Sequence, residues 1–183
     1  MMWFSKPAKI ILAVGLVAIL GTCGPQKTGG GAPAGGGTPV NTGGGGGLSA
    51  VLAAHNSFRA AHCTAPLRWS NALAATAQAW AQQCSFSHSG NGYGENIAWG
   101  TAGAFTPTRF VENWYSEAPA YDYSTGSGRG GAVTGHFTQI VWAGSTEVGC
   151  GWARCGGSDY LVCNYSPPGN YVGQHSGNVR PRC

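Results

Sequence analysis

Between residues 48 and 183 the chain carries six cysteines: Cys63, Cys84, Cys150, Cys155, Cys163 and Cys183. In an oxidising compartment an even number of thiols pairs off, and three cross-links in one domain limit it to a compact fold whose distant segments are stapled together. The spacing leaves every pairing open. The competing reading, a structural zinc site, lacks any C-x2-C pair.

The N-terminus points to that compartment. Lys6 and Lys9 precede the apolar run 10–20, the layout of an export signal, and Gly21 and Thr22 lead to Cys23, the seventh cysteine. The run is 11 residues long, well short of the roughly 20 that a membrane span needs. Leu20-Gly21-Thr22-Cys23 resembles a bacterial lipoprotein box, with Gly-Thr in place of the usual Ala-Gly type of pair. Residues 1–23 are thus expected to be a signal peptide ending at a candidate lipidation site, Cys23. Residues 24–47 contain 12 Gly, 3 Pro and one charge, Lys27. That composition buries too little apolar area to offset chain entropy, so a disordered tether is expected. Its ends would lie roughly 25–30 Å apart. The protein is expected to be extracellular or a cell-surface or outer-membrane lipoprotein, touching a membrane only through Cys23.

The remaining segment, 48–183, is long enough to bury about two-thirds of its unfolded surface in one core. It has 7 Arg against 6 Asp and Glu, a net charge of +1. No basic face for nucleic acid is available, and a monomer is expected. Leu48, Val51, Leu52, His55, Phe58 and Arg59 recur at helical spacing and predict a helix over 49–61. Ser70 is an N-cap candidate for a second helix, with Leu73, Ala77, Trp80, Ala81 and Cys84 as its stripe. Thr106-Pro107 opens a third, with Phe110, Val111 and Trp114 on one face. A short helix is expected over 136–142, and strands over 96–99, 147–153 and 160–165. The last two flank Cys155-Gly156-Gly157-Ser158-Asp159, which reads as hairpin punctuation. Helices followed by a hairpin predict a mixed α/β layered domain.

Ionisable groups are sparse. The whole chain has five His and six carboxylates. His88, Glu95, Glu117 and His136 each lie near Gly or at an expected helix end. Two imidazoles suit a divalent metal, and a carboxylate that accepts the far imidazole N–H would fix its tautomer. From spacing alone the four read equally well as scattered polar residues. H-E-x-x-H, G-x-S-x-G and G-x-x-x-x-G-K are all missing, and Ser89 and Ser145 read as turn residues.

Four motifs in order carry a resemblance. Gly135-His136-Phe137-Thr138-Gln139-Ile140-Val141-Trp142, followed by Val148-Gly149-Cys150-Gly151, resembles the first signature of the CAP superfamily. That superfamily comprises cysteine-rich secretory proteins, antigen 5 and pathogenesis-related 1 proteins. Tyr160-Leu161-Val162-Cys163-Asn164-Tyr165-Ser166-Pro167-Pro168-Gly169-Asn170-Tyr171 resembles the second. His55-Asn56-Ser57-Phe58-Arg59 and Gly94-Glu95-Asn96-Ile97-Ala98 match the two lesser motifs.

The resemblance implies a three-layer α-β-α sandwich around a small antiparallel sheet. It implies a cavity tetrad at His88, Glu95, Glu117 and His136. The two His would hold zinc or another divalent metal, and the two Glu would orient them as a second layer around the ion. Two imidazoles plus waters make a weak, exchangeable site that is lost in acid. The resemblance also implies Cys84–Cys155 and Cys150–Cys163, which leaves Cys63 for Cys183. Asn56 and Arg59 would tie down neighbouring backbone; His55, His62 and His175 are expected to be structural, with His62 at the surface.

Three functions follow as expectations. The first is a non-enzymatic binding domain, since relatives bind fatty acids or sterols, and Trp99, Phe105, Phe110, Trp114, Tyr115, Tyr121 and Tyr123 crowd one segment that could line an apolar groove for such a lipid. The second is a surface module that recognises cell wall or host protein. The third is a metal-assisted hydrolase or protease with Glu95 or Glu117 as general base.

Overall fold

The computed structural model describes residues 47–183. The signal segment, Cys23 and residues 24–46 of the Gly-rich tether lie outside the described residues. Four main helices, α1 (Gly47–Ala60), α2 (Asn71–Ala81), α3 (Pro107–Tyr115) and α4 (Gly135–Val141), pack on both faces of a four-stranded sheet. The strands are β1 (Arg68–Trp69), β2 (Gly94–Thr101), β5 (Glu147–Cys155) and β6 (Ser158–Ser166), in the order β1-β5-β6-β2. A two-residue ladder joins β3 (Tyr121–Asp122) to β4 (Ser127–Gly128), and a last short helix, α5, covers His175–Asn178. The result is the expected α-β-α sandwich with a mostly antiparallel sheet. The exception is β1, which runs parallel to β5. Two residues carry no readable alternation, so the sequence offers no sign of it.

The two faces of the sheet are built differently. On one, α2 lies directly over β5 because Gly149 and Gly151 have no side chains. A Cβ at Gly149 would strike the backbone of Ser70 and Ala74, and one at Gly151 that of Gln78. Gln78 then bonds both backbone groups of Trp152, donating to its O at 2.9 Å and accepting from its N at 3.0 Å. The core on this face is small: Ala77, Ala81, Ile97 and Val162. Ser70 caps α2 through its hydroxyl, which accepts from Leu73 N at 3.4 Å. The helix ends at Ala81, before the last residue of its expected stripe: the next bonds tighten to i−3, from Gln83 N to Trp80 O at 2.9 Å and from Cys84 N to Ala81 O at 3.0 Å, and Cys84 then takes a left-handed φ of 55°.

The other face carries the large core. Val51 of α1, Phe110, Val111 and Trp114 of α3, and Phe137, Ile140 and Val141 of α4 pack on Val148, Leu161 and Tyr165 of the strands. Pro107 occupies the first turn of α3, and the Thr106 hydroxyl accepts from Arg109 N at 3.2 Å.

Three disulfides join Cys63 to Cys183, Cys84 to Cys155 and Cys150 to Cys163. The first of them, with the bond from Cys183 N to Ala61 O at 3.2 Å, draws the last residues over the end of α1. His62 is therefore fully buried and not at the surface, donating Nδ1–H to Arg180 O at 2.6 Å.

Candidate metal centre

Strand alternation divides the Gly94-Glu95-Asn96 motif between the two faces of β2. Glu95 points to the segment that follows α2. Its Oε1 accepts from His88 Nδ1 at 2.9 Å and from Ser89 N at 2.9 Å, and its Oε2 accepts from the Ser89 hydroxyl at 2.6 Å. Asn96 points the other way and donates Nδ2–H to His136 O at 3.1 Å and to the Tyr165 hydroxyl at 3.2 Å. One strand thus reaches the His88 segment with one side chain and the start of α4 with the next.

At that start, Glu117 closes the first turn of α4. Its Oε2 accepts from His136 N at 3.0 Å and Phe137 N at 3.1 Å, and its Oε1 accepts from His136 Nδ1 at 2.7 Å. The His136 ring lies nearly parallel to Trp114, with centroids 6.0 Å apart. At the far end of the helix, Arg59 donates Nη1–H to Ile140 O at 2.9 Å and to Trp142 O at 2.8 Å. It also donates Nη2–H to Ser145 O at 2.9 Å and Nε–H to Ala65 O at 2.7 Å. Burial pulls this guanidinium down to about 10, which still leaves it charged at neutral pH. Its position at the carbonyl end of α4 complements the helix dipole.

The four expected residues therefore come as two pairs, His88 with Glu95 and His136 with Glu117. Both histidines spend Nδ1–H on a carboxylate, so the neutral ring leaves the Nε2 lone pair free, and Nε2 has no hydrogen-bond partner among the described residues. That is how metal-ligating imidazoles are oriented from behind. Among the described residues no three His, Cys, Asp or Glu side chains come together as a group that could hold an ion. Each pair thus offers one imidazole nitrogen of the kind that divalent ions take. Ser89, read from sequence as a turn residue, is the residue missed: it gives Glu95 two of its three hydrogen bonds.

A buried network supports this region. His55 donates Nδ1–H to Val51 O at 2.8 Å, so its Nε2 accepts from the Tyr165 hydroxyl at 2.8 Å. Burial lowers His55 to about 4 and pushes the Tyr165 phenol up. Both stay neutral near pH 7, and Tyr165 passes the connection to Asn96 and so to His136 O.

The sequence profile of the cysteine-rich secretory protein family matches residues 52–165. The chain belongs to the CAP family. Pathogenesis-related protein 1B of Nicotiana tabacum is 43% identical over 128 residues, covering 67% of this chain and 76% of that protein. Protein PRY2 of Saccharomyces cerevisiae is 46% identical over 134 residues, 69% of this chain but 39% of that protein. Among solved structures, venom allergen-like protein 4 of Schistosoma mansoni has a TM-score of 0.60 at 25% identity, over 68% of this chain and 90% of that one. A crystal structure of NaASP2 with Zn2+ has a TM-score of 0.61 at 26% identity, over 80% of this chain and 91% of that one. The chain is a CAP-domain protein of the pathogenesis-related 1 type.

Proposed function

We propose that the protein is a non-enzymatic extracellular binding domain that holds a divalent cation through Nε2 of His88 and Nε2 of His136. The observation that carries this reading is the shared build of the two pairs, each with Nδ1 fixed by a carboxylate and Nε2 free. Bound there, the ion would supply a positive, water-bearing centre for a partner's oxygen donors. Glu95 and Glu117 each accept three hydrogen bonds from this chain. Carboxylates so occupied orient histidines and shape backbone, which favours binding over general-base chemistry. The NaASP2 structure with Zn2+ adds support from a protein of the same fold. Calorimetry with zinc on the full chain tests it. Weak binding is expected for wild type and none for H88A/H136A; equal heats from the two proteins contradict the reading.

Exposed aromatics favour a second reading, in which a fatty acid, sterol or other lipid is bound as well. Of the seven aromatics between Glu95 and Arg129, Phe110, Trp114 and Tyr121 are core. Trp99 is 53% exposed and meets Phe86, 61% exposed, edge to face at 6.2 Å, close in sequence to His88. Such a patch suits an apolar ligand. Quenching of tryptophan fluorescence by cholesterol or palmitate, lost in W99A, is the expected result; no quenching by either contradicts the lipid reading. Upstream, export through residues 1–23, lipidation at Cys23 and the tether 24–47 would hold the domain 48–183 near a membrane surface. Intact mass of the mature protein tests this, since a Cys23 N-terminus without added diacylglyceryl mass contradicts anchoring.

A further inference from the structure

A cleft of about 460 Å³ is lined by the end of α3, by residues of the segment 118–129 and by Arg182 near the end of the chain. Its walls include His62, Tyr115, Tyr121, Tyr123, Arg129 and Arg182. Two features set it apart from the metal centre. The first is charge: no carboxylate is among its lining residues, and neither Arg129 nor Arg182 forms a salt bridge among the described residues. Arg109 and Arg154, by contrast, are each paired with an acid. Arg129 reaches only Pro119 O, at 3.4 Å. Asp122 is held below the usual carboxylate range first by Ser124, whose hydroxyl and N donate to Oδ1 at 2.6 and 2.9 Å, and least by the charge of Arg129.

The second feature is an aromatic corner. Tyr121 and Tyr123 meet at 85° with centroids 4.9 Å apart. Tyr115 is held by stacking on Phe58 at 3.9 Å and 6°, and by donating its hydroxyl proton to His62 Nε2 at 2.9 Å. Tyr121 is buried and braces Tyr123 from behind, so the half-buried Tyr115 and Tyr123 are the rings that offer a ligand's ring an aromatic surface. Rings already fixed by packing lose little freedom on binding. Guanidinium groups with spare donors take a carboxylate in short, charge-assisted bonds. The volume lies within the range of small-molecule sites. Arg182 is kept in this wall by its neighbours: Cys183 is disulfide-bonded to Cys63, and Arg180 donates Nη1–H to Cys63 O at 3.1 Å.

We propose that this cleft binds a small planar aromatic carboxylate, its ring against the tyrosines and its carboxylate between Arg129 and Arg182. Calorimetry on the full chain with 2-naphthoate, 2-naphthamide and decanoate separates the contributions of charge and ring. Expected are one site for 2-naphthoate, binding of the amide weaker by about tenfold or more, since one lost charge-assisted contact accounts for that much, and binding of decanoate weaker by up to about tenfold, since it keeps the carboxylate but loses the ring packing. R129Q/R182Q loses about tenfold or more of the 2-naphthoate affinity and none of its zinc binding, and R109Q leaves both unchanged. Should the double variant melt early, R182Q alone gives the same direction. Absence of 2-naphthoate binding, equal binding by R129Q/R182Q, or decanoate binding as tight as 2-naphthoate overturns the proposal. None of these outcomes bears on the metal reading, which uses other residues.

Discussion

His136 sits on a helix anchored at both ends, whereas His88 sits on an exposed segment that starts at the Cys84–Cys155 disulfide and is held by Trp80, which donates Nε1–H to Ser87 O at 2.8 Å, and by Glu95. Glu117 takes two backbone N–H groups and the ring of His136 at the start of α4, and Arg59 takes the carbonyls at its end. The side chains of that pair are 29% and 17% exposed. In the other pair, Glu95 is 5% exposed while His88 is 69% exposed. The two pairs thus differ in how far water reaches the imidazole. Under the proposed reading, the shielded half would be organised in advance and the exposed half would let water reach the ion.

The sharpest challenge to this contrast is Arg59→Met. It leaves the carbonyls of Ala65, Ile140, Trp142 and Ser145 without their donor, and a loss of roughly 3–5 kcal/mol is expected in urea unfolding. A loss near zero would mean that α4 is not anchored by its C-terminal end.

Acid attacks the same support through His55. Burial lowers this imidazole from 6.5 to about 4, so between those values the unfolded chain binds the extra proton and the folded one does not. Stability contributed by neutral His55 is present above pH 6.5 and is lost as pH falls toward 4, by roughly 3 kcal/mol in total. Thermal melts across that range should show the slope in wild type, and it should flatten in H55N. An equal slope in both would assign the acid sensitivity elsewhere.

The two glutamates compare the half-sites directly. Glu117→Gln keeps the shape and removes the charge from three hydrogen bonds, and about 2 kcal/mol of global stability is expected to go with it. Glu95→Gln should cost about 1 kcal/mol or less, because the segment that it holds is exposed. Its effect should appear as faster hydrogen exchange over 85–93 rather than as a lower melting temperature. Equal global losses for the two variants would erase the distinction between a shielded and an exposed half.

Much of this architecture is legible in local sequence. Thr106-Pro107 announces α3 through capping chemistry, and the stripe from Val51 to Arg59 announces α1. What escapes local reading depends on contacts between distant residues. The burial of His62 follows from a disulfide 120 residues long in sequence and from Arg180 O. The stripe of α2 runs on to Cys84, yet the helix stops at Ala81, and Cys84, in a left-handed turn, is bonded instead to Cys155, 71 residues away. Ser145 reads as a turn residue, but its hydroxyl donates to Pro167 O at 2.8 Å and its carbonyl serves Arg59. For the candidate site, spacing alone offered four scattered polar residues. The family resemblance is what groups them, and the hydrogen-bond partners of each pair, Ser89 among them, come only from tertiary structure.

The account is tested most directly by anomalous diffraction at the zinc edge from crystals of the full chain soaked in zinc. It predicts one peak within bonding distance of both His88 Nε2 and His136 Nε2, with water filling the remaining positions. A peak bound to one imidazole alone, or to neither, would contradict it.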